Sequence, residues 1–209
     1  MKRLAILVVL ASCAGKVPET RYYQLAEPSG KASSGNGVAI VIQPLETESA
    51  YDDERIVYRV TPYRLDYYNY HRWSASPGAL IANYLERAFE KSGRFGAVTR
   101  TENPEAAVAL SGRVIAIEEV DQTKDRWIGR VVLELTLTDT STGDILWAEQ
   151  YEETEPLPVQ SPEGLARALS VALERIARRA VPVVSITAEK AARARDAGVS
   201  PSRAARLKP

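Results

Sequence analysis

Side chains that could do chemistry are few in this chain of 209 residues. His71 is the only histidine and Cys13 the only cysteine, so one chain can form neither a histidine-based metal site nor a disulfide. Asp52, Asp53 and Glu54 are consecutive carboxylates that could serve acid–base catalysis or bind Ca²⁺. We interpret them instead as an acidic turn between strands, and His71 as a packing or surface side chain.

Motifs for catalysis and for nucleotide binding are also missing from the sequence. It has no glycine-rich phosphate loop and no G-x-S-x-G nucleophile turn. Lysine and arginine number 27, as do aspartate and glutamate, so the chain lacks the basic excess of a general nucleic-acid binder. We therefore predict that the protein is not an enzyme, that it uses no metal, and that it does not bind nucleic acid.

The amino-terminal residues have the order of a secretory signal. Lys2 and Arg3 precede an apolar run at 4–10, and small residues follow directly before Cys13. The ending Leu-Ala-Ser-Cys resembles a bacterial lipobox, so we predict a signal peptide at 1–12 and a covalent lipid on Cys13. That lipid is the only non-protein group expected, and two or three acyl chains would hold the protein on a membrane durably. The alternative is an ordinary signal peptide with an incidental cysteine.

Residues 51–73 hold six of the ten tyrosines and one tryptophan. Tyrosine and tryptophan are favoured where one end of the ring is buried and the other is wet, as at interfaces. We therefore name Tyr58, Tyr68, Tyr70 and Trp73 as candidates for binding a partner protein or a lipid. The alternative is that these rings pack the sheet against the first helix.

The order of elements is strands, helix, strands, helix, which predicts an α+β domain at 21–183. We expect a mostly antiparallel sheet with two main helices packed on one face. Ser76-Pro77 and Ser161-Pro162 start the helices, Gly93 ends the first, and Pro182 is predicted to stop the second. A flexible tether is expected at 13–20. The stretch 184–209, rich in alanine and arginine, is predicted to be a weak helix or a disordered, solvated tail.

Four features together resemble the ABC-type transport auxiliary lipoproteins, including the paraquat-inducible intermembrane-transport type. They are the lipobox, the Tyr22-Tyr23-Gln24-Leu25 stretch, the strand at 38–44, and the tyrosine-rich block at 56–77, continued by Ser92-Gly93-Arg94-Phe95. The block is the most specific of these features, whereas the strands and the second helix are generic. The resemblance covers residues 10 to 180, approximately, and leaves the tail unexplained.

The resemblance implies a periplasm-facing lipoprotein that works with an ABC permease and ATPase and with a protein carrying a mammalian-cell-entry (MCE) domain. Such systems move lipids or other hydrophobic molecules between the two membranes of a Gram-negative bacterium. Ala14-Gly15 follows the cysteine where an aspartate would favour inner-membrane retention, so we expect the outer membrane. A homo-oligomer is compatible with the resemblance, but no residue indicates one.

Two other functions remain open at this point. The chain could be a structural or assembly lipoprotein of another envelope machine, such as secretion or outer-membrane biogenesis, built on a similar α+β body. It could also be a lipid-anchored periplasmic enzyme that uses Asp52, Asp53 or His71.

Overall fold

A computed structural model describes residues 18–31 and 35–198, and within these ranges the chain forms nine strands and two helices. The elements are β1 (Arg21–Tyr23), β2 (Ala39–Ile42), β3 (Glu46–Thr47), β4 (Arg55–Thr61), β5 (Arg64–Trp73), α1 (Pro77–Lys91), β6 (Ala97–Thr99), β7 (Val108–Thr123), β8 (Arg126–Asp139), β9 (Ile145–Pro156) and α2 (Pro162–Asp196). The predicted α+β class is confirmed. The predicted signal peptide and Cys13 lie outside the described residues.

β7 is the centre of a single mixed sheet. On one side it pairs with β8, which pairs with β9, and both pairs are long and antiparallel. On the other side β2, β3 and β4 lie parallel to successive parts of β7. β5 pairs antiparallel with β4, β1 adds to β5 in parallel, and β6 adds to β2. The sheet is antiparallel over most of its paired length, although its shorter pairs are parallel.

One face of the sheet is covered by the helices. Val131, Leu133, Leu135 and Leu137 alternate along β8 and are fully buried, as the period-2 pattern predicts. Gly129 continues this row, and a Cβ placed there would lie 3.2 Å from the Cβ of Ala168 in α2. The missing side chain therefore lets the first turns of α2 lie close against the sheet.

Both helices begin and pack largely as their sequences indicate. The Ser161 hydroxyl accepts a hydrogen bond from the Gly164 amide at 3.1 Å, which caps α2. Ser76 precedes α1 but makes no such side-chain bond, and Gly93 takes a positive φ of 63° after that helix. Each helix buries an apolar stripe, with Ile81, Leu85 and Phe89 in α1 and Leu165, Leu169, Leu173 and Ile176 in α2.

The prediction that Pro182 ends the second helix is wrong, because α2 continues through this proline to Asp196. Beyond it, Val184 and Ala188 are fully buried in the main core. Near the end of the helix, the Arg195 guanidinium donates to the Asp139 carboxylate at 2.9 Å and to the Ala107 carbonyl at 2.8 Å. This packing outweighs the hydrogen bond that the proline removes. The predicted boundary at 183 therefore falls inside a helix, and Arg195 is not part of a solvated tail.

The segment after β1 is tied to the second helix. The Ala26 amide donates to the Ser170 hydroxyl at 2.9 Å, and the Ser29 amide donates to the Glu174 carboxylate at 3.1 Å. These hydrogen bonds hold the segment that follows β1 against α2. Among the described residues, no helix is long and apolar enough to cross a membrane.

Candidate functional site

The tyrosine-rich segment forms the β4–β5 hairpin, and an irregularity in β5 shapes its surface. Arg55 pairs with Arg72, whereas Val57, two residues on, pairs with Tyr67, five residues back. β5 thus holds three more residues than β4 over this stretch and bulges out of regular alternation. The bulge contains Tyr68 and Tyr70, two of the candidate binding residues.

The four candidate residues do not form one exposed surface. Tyr58 and Tyr68 contact each other with their rings tilted by 52° and the ring centroids 4.9 Å apart, and both are half-buried. Tyr70 is 40% exposed. Trp73 is only 1% exposed and lies in the core, so its prediction as a partner contact is wrong. It ends β5 on the helix-covered face, where a large indole adds to the buried apolar area.

His71 joins the same aromatic cluster as a packing residue. Its Nδ1 lies 2.8 Å from the Tyr23 hydroxyl, and its ring meets the Tyr68 ring edge-on at 5.5 Å. Burial, together with the nearby charge of Arg21, lowers the pKa of His71. This agrees with the interpretation of His71 as a packing side chain.

The acidic run is a turn, as we interpreted it. Asp53 accepts hydrogen bonds from the backbone amide and the guanidinium of Arg55, and these lower its pKa. Within 18–31 and 35–198, no three histidine, cysteine or acidic side chains are grouped closely enough to hold a metal ion.

On the helix-covered face, Tyr68 contacts a pair of acidic residues, Glu119 and Asp121. Its hydroxyl donates to Glu119 Oε1 at 2.8 Å, and Glu119 is fully buried. Glu119 Oε2 and Asp121 Oδ1 are both buried without a donor. Burial, with a further contribution from Asp121, raises the pKa of Glu119 to about 7. Below that pH Glu119 is protonated, which removes the cost of burying its charge.

Glu118, the preceding residue, lies on the opposite face in a different environment. It is also fully buried, and it accepts from the Tyr51 hydroxyl at 2.7 Å. Arg59 Nε and Arg130 Nη1 donate to its two oxygens at 3.0 and 2.9 Å. Arg130 also bonds Glu152 at 2.7 Å. This carboxylate therefore shares a salt bridge with each of two guanidinium groups.

Sequence reasoning missed four residues of this region. Tyr63 is 98% exposed at the tip of the hairpin, and Tyr22 is 63% exposed on β1. The turn signal at Pro62 could have identified Tyr63 as a loop residue. Glu118 and Glu119 interrupt a strand that otherwise looks amphipathic, and nothing local shows that both are buried.

The described residues thus form a two-layer α+β body with exposed tyrosines along one edge of its sheet. The family model for the ABC-type transport auxiliary lipoprotein component matches residues 23–181. The chain therefore belongs to this family, whose members are components of transport systems in the cell envelope and not a class of enzyme. A comparison with curated proteins found no match.

Solved structures share the fold. The protein XCC0632 from Xanthomonas campestris, a DUF330 protein, is 19% identical with a TM-score of 0.72, over 83% of this chain and 99% of that one. An uncharacterized protein is 11% identical with a TM-score of 0.67, over 80% of this chain and 99% of that one. At these identities the likeness concerns the fold alone.

Proposed function

We propose that this chain is an outer-membrane lipoprotein, anchored through Cys13 and facing the periplasm, that serves an ABC system with an MCE-domain component. The system would move lipids or other hydrophobic molecules between the two membranes. The family match over residues 23–181 carries the proposal, because it spans the domain except for the first two residues of β1 and the last turns of α2. The lipobox at 10–13 supplies the membrane attachment.

In this proposal the chain contributes attachment and docking, while the ATPase and permease supply the energy and the path. The edge formed by β1 and β5 presents Tyr22 and Tyr70, which are 63% and 40% exposed. Tyrosines on such an edge give a partner both apolar area and a hydroxyl to bond. Tyr58 and Tyr68 support this edge from within instead of contacting the partner directly.

The first experiment is affinity purification of the lipidated protein from detergent-solubilised native membranes, followed by mass spectrometry. Recovery of an MCE-domain protein with its permease and ATPase is the expected result. Recovery of a secretion or outer-membrane assembly machine instead would replace the proposed partner while keeping the anchor.

A matched pair of variants tests the docking edge in the same assay. Tyr70→Ala is expected to lower recovery of the partner with little change in the melting temperature. Ile145→Ala removes an apolar side chain that is 67% exposed at the start of β9, far from this edge, and is the control. Equal recovery with both variants would count against docking at Tyr70.

The anchor has its own test, because Cys13→Ser removes the only thiol. The variant is expected to keep its signal peptide or to leave the outer-membrane fraction. Normal fractionation of the Cys13→Ser protein with the outer membrane would refute lipid attachment.

A further inference from the structure

Three connections meet at one end of the molecule, which we call the loop end: residues 61–64, 123–126 and 157–161. β4 and β7 run towards it side by side, with Arg59 paired to Val120. β7 turns into β8 there, and the Leu157 amide donates to the Trp127 carbonyl at 2.9 Å. Gln160 Nε2 donates to the Lys124 carbonyl at 3.0 Å, so the third connection is bonded to the second.

The loop end exposes apolar side chains with basic neighbours. Tyr63 is 98% exposed, Val159 65% and Val60, at the end of β4, 39%. The charged residues of the three connections are Arg64, Lys124 and Arg126, which are basic, and Asp125, which is acidic. An exposed tyrosine beside aliphatic and basic side chains is the composition that favours the headgroup layer of a membrane.

The direction of β1 brings the chain in from this end. β1 runs parallel to β5, with Arg21 opposite His71, and β5 begins at Arg64 in the loop end. Travelling backwards from Arg21 therefore leads towards Tyr63. Seven residues separate His71 from Arg64, which is about 23 Å of strand. Eight residues separate Cys13 from Arg21, and their backbone reaches at most about 29 Å. A lipid on Cys13 can therefore lie level with the loop end.

The start of β9 lies at the opposite end of the sheet from the loop end. Ile145 pairs with Thr138, which pairs with Ala109 near the start of β7. β9 is also five strand positions away from β1, which amounts to about 24 Å across the sheet. Because β1 begins on the side of the loop end, the strand direction favours the loop end as the part that faces the bilayer.

We propose that the loop end rests on the headgroup layer of the membrane that holds Cys13, with Tyr63 and Val159 at the membrane–water interface. The inference rests on the lipid anchor of the proposed function and adds an orientation to it. Arg64, Lys124 and Arg126 meet lipid phosphates, and the turn between β8 and β9 points away from the membrane. The β1–β5 edge then stands upright above the bilayer, where a partner can reach it from the side.

The test uses the mature lipidated protein in vesicles of phosphatidylethanolamine and phosphatidylglycerol. Because Cys13 is blocked by its lipid, a cysteine introduced by Tyr63→Cys is the only site for an environment-sensitive fluorophore. Val159→Cys is a second loop-end site, and Ile145→Cys, 67% exposed in the wild type, is the matched control. Fluorescence is measured before and after adding a lipid with a nitroxide at its headgroup.

We expect quenching several-fold stronger at positions 63 and 159 than at 145, with a blue-shifted emission at the first two. Equal quenching at all three positions, or stronger quenching at 145, would overturn the orientation. So would a label at 63 that stays in water until a partner protein is added. A chain that does not float with the vesicles, and whose Cys13 itself takes up the fluorophore, would overturn the anchor as well. Flotation without quenching at 63 and 159 would overturn the orientation alone.

Discussion

Glu118 and Glu119 are consecutive residues of β7, and both are fully buried, but they lie on opposite faces of the sheet. Glu118 accepts from Arg59, Arg130 and the Tyr51 hydroxyl. Glu119 accepts one hydrogen bond from Tyr68, and its other neighbour is the carboxyl group of Asp121. A buried carboxylate needs a compensating charge or a proton, and the two residues use one solution each.

The difference gives the two faces of the sheet different partners for a buried acid. Glu118 shares salt bridges with Arg59 and Arg130. Glu119 has no arginine or lysine bonded to it among the described residues, and its pKa lies at about 7. The tyrosine cluster under β5 is thus supported by a group that gains or loses a proton near neutral pH.

The largest effect is expected from Glu118→Ala. The substitution leaves two half-buried guanidinium groups facing each other without their shared carboxylate, and breaking a buried ion pair in this way costs about 3–5 kcal/mol. Denaturant unfolding at pH 7 measures the loss. Glu152→Ala is the control, because it removes only the exposed partner of Arg130. A loss as small as that of Glu152→Ala would mean that Glu118 is not the centre of this network.

The second prediction concerns pH and Glu119. Its pKa is raised from 4.5 to about 7 in the folded protein, so between these values the folded state binds a proton that the unfolded state does not. Stability should therefore be greatest below about pH 4.5 as far as this group is concerned, and fall as pH rises to about 7. The full change is about 3 kcal/mol or less.

Glu119→Gln provides the comparison for this prediction. The amide cannot ionise, but it keeps an oxygen that can accept from Tyr68, so the decline between pH 5 and 8 should largely disappear. Unfolding curves at several pH values, recorded for both proteins, give the two slopes. A variant that declines as steeply as the wild type would place the pH dependence in another group.

The elements with a clear period could be predicted from sequence, while the long-range pairings could not. The alternation in β8 and the apolar stripes of α1 and α2 each follow from residues within one segment. The length of α2 could not be predicted, because Pro182 is a local signal to stop. It is overridden by packing at Val184 and Ala188 and by the bond from Arg195 to Asp139, 56 residues away. The parallel placement of β2, β3 and β4 along β7 also depends on contacts distant in sequence.

The candidate site, too, could be predicted from the sequence only in part. Composition alone identified the tyrosine-rich segment as important, but it could not tell exposed rings from buried ones. The bulge in β5 breaks the alternation, so Tyr68 reaches the buried Glu119 while Tyr70, two residues on, is exposed. Glu119 pairs with Gly129, and α2 packs closely over Gly129 on the same face of the sheet. The residues next to Glu119 in the sequence do not indicate these contacts.

The third prediction concerns Tyr68→Phe on the helix-covered face of the sheet. The hydroxyl of Tyr68 is the only hydrogen-bond donor to Glu119 among the described residues. Removing it leaves a buried carboxylate oxygen unpaired, at a cost of about 1–3 kcal/mol when the group is ionised. The loss should be larger at pH 8 than at pH 5, since below its pKa Glu119 holds a proton. An equal loss at both pH values would mean that the ring and not the hydroxyl is important.

The smallest effect is expected from Tyr51→Phe, the matching substitution on the other face. Its hydroxyl also donates to a buried carboxylate, at 2.7 Å, but Glu118 keeps both of its arginines when that bond is lost. The hydroxyl also accepts from Arg59 Nη2 at 3.1 Å, but Arg59 and Glu118 stay bonded to each other without it. The cost should therefore be near that of an ordinary hydrogen bond, about 1 kcal/mol, and should not follow the titration of Glu119, which this hydroxyl does not contact. Denaturant unfolding of the two phenylalanine variants at both pH values measures the contrast directly. If Tyr51→Phe showed the steeper pH dependence, the assignment of the pH-dependent carboxyl group to Glu119 would be wrong.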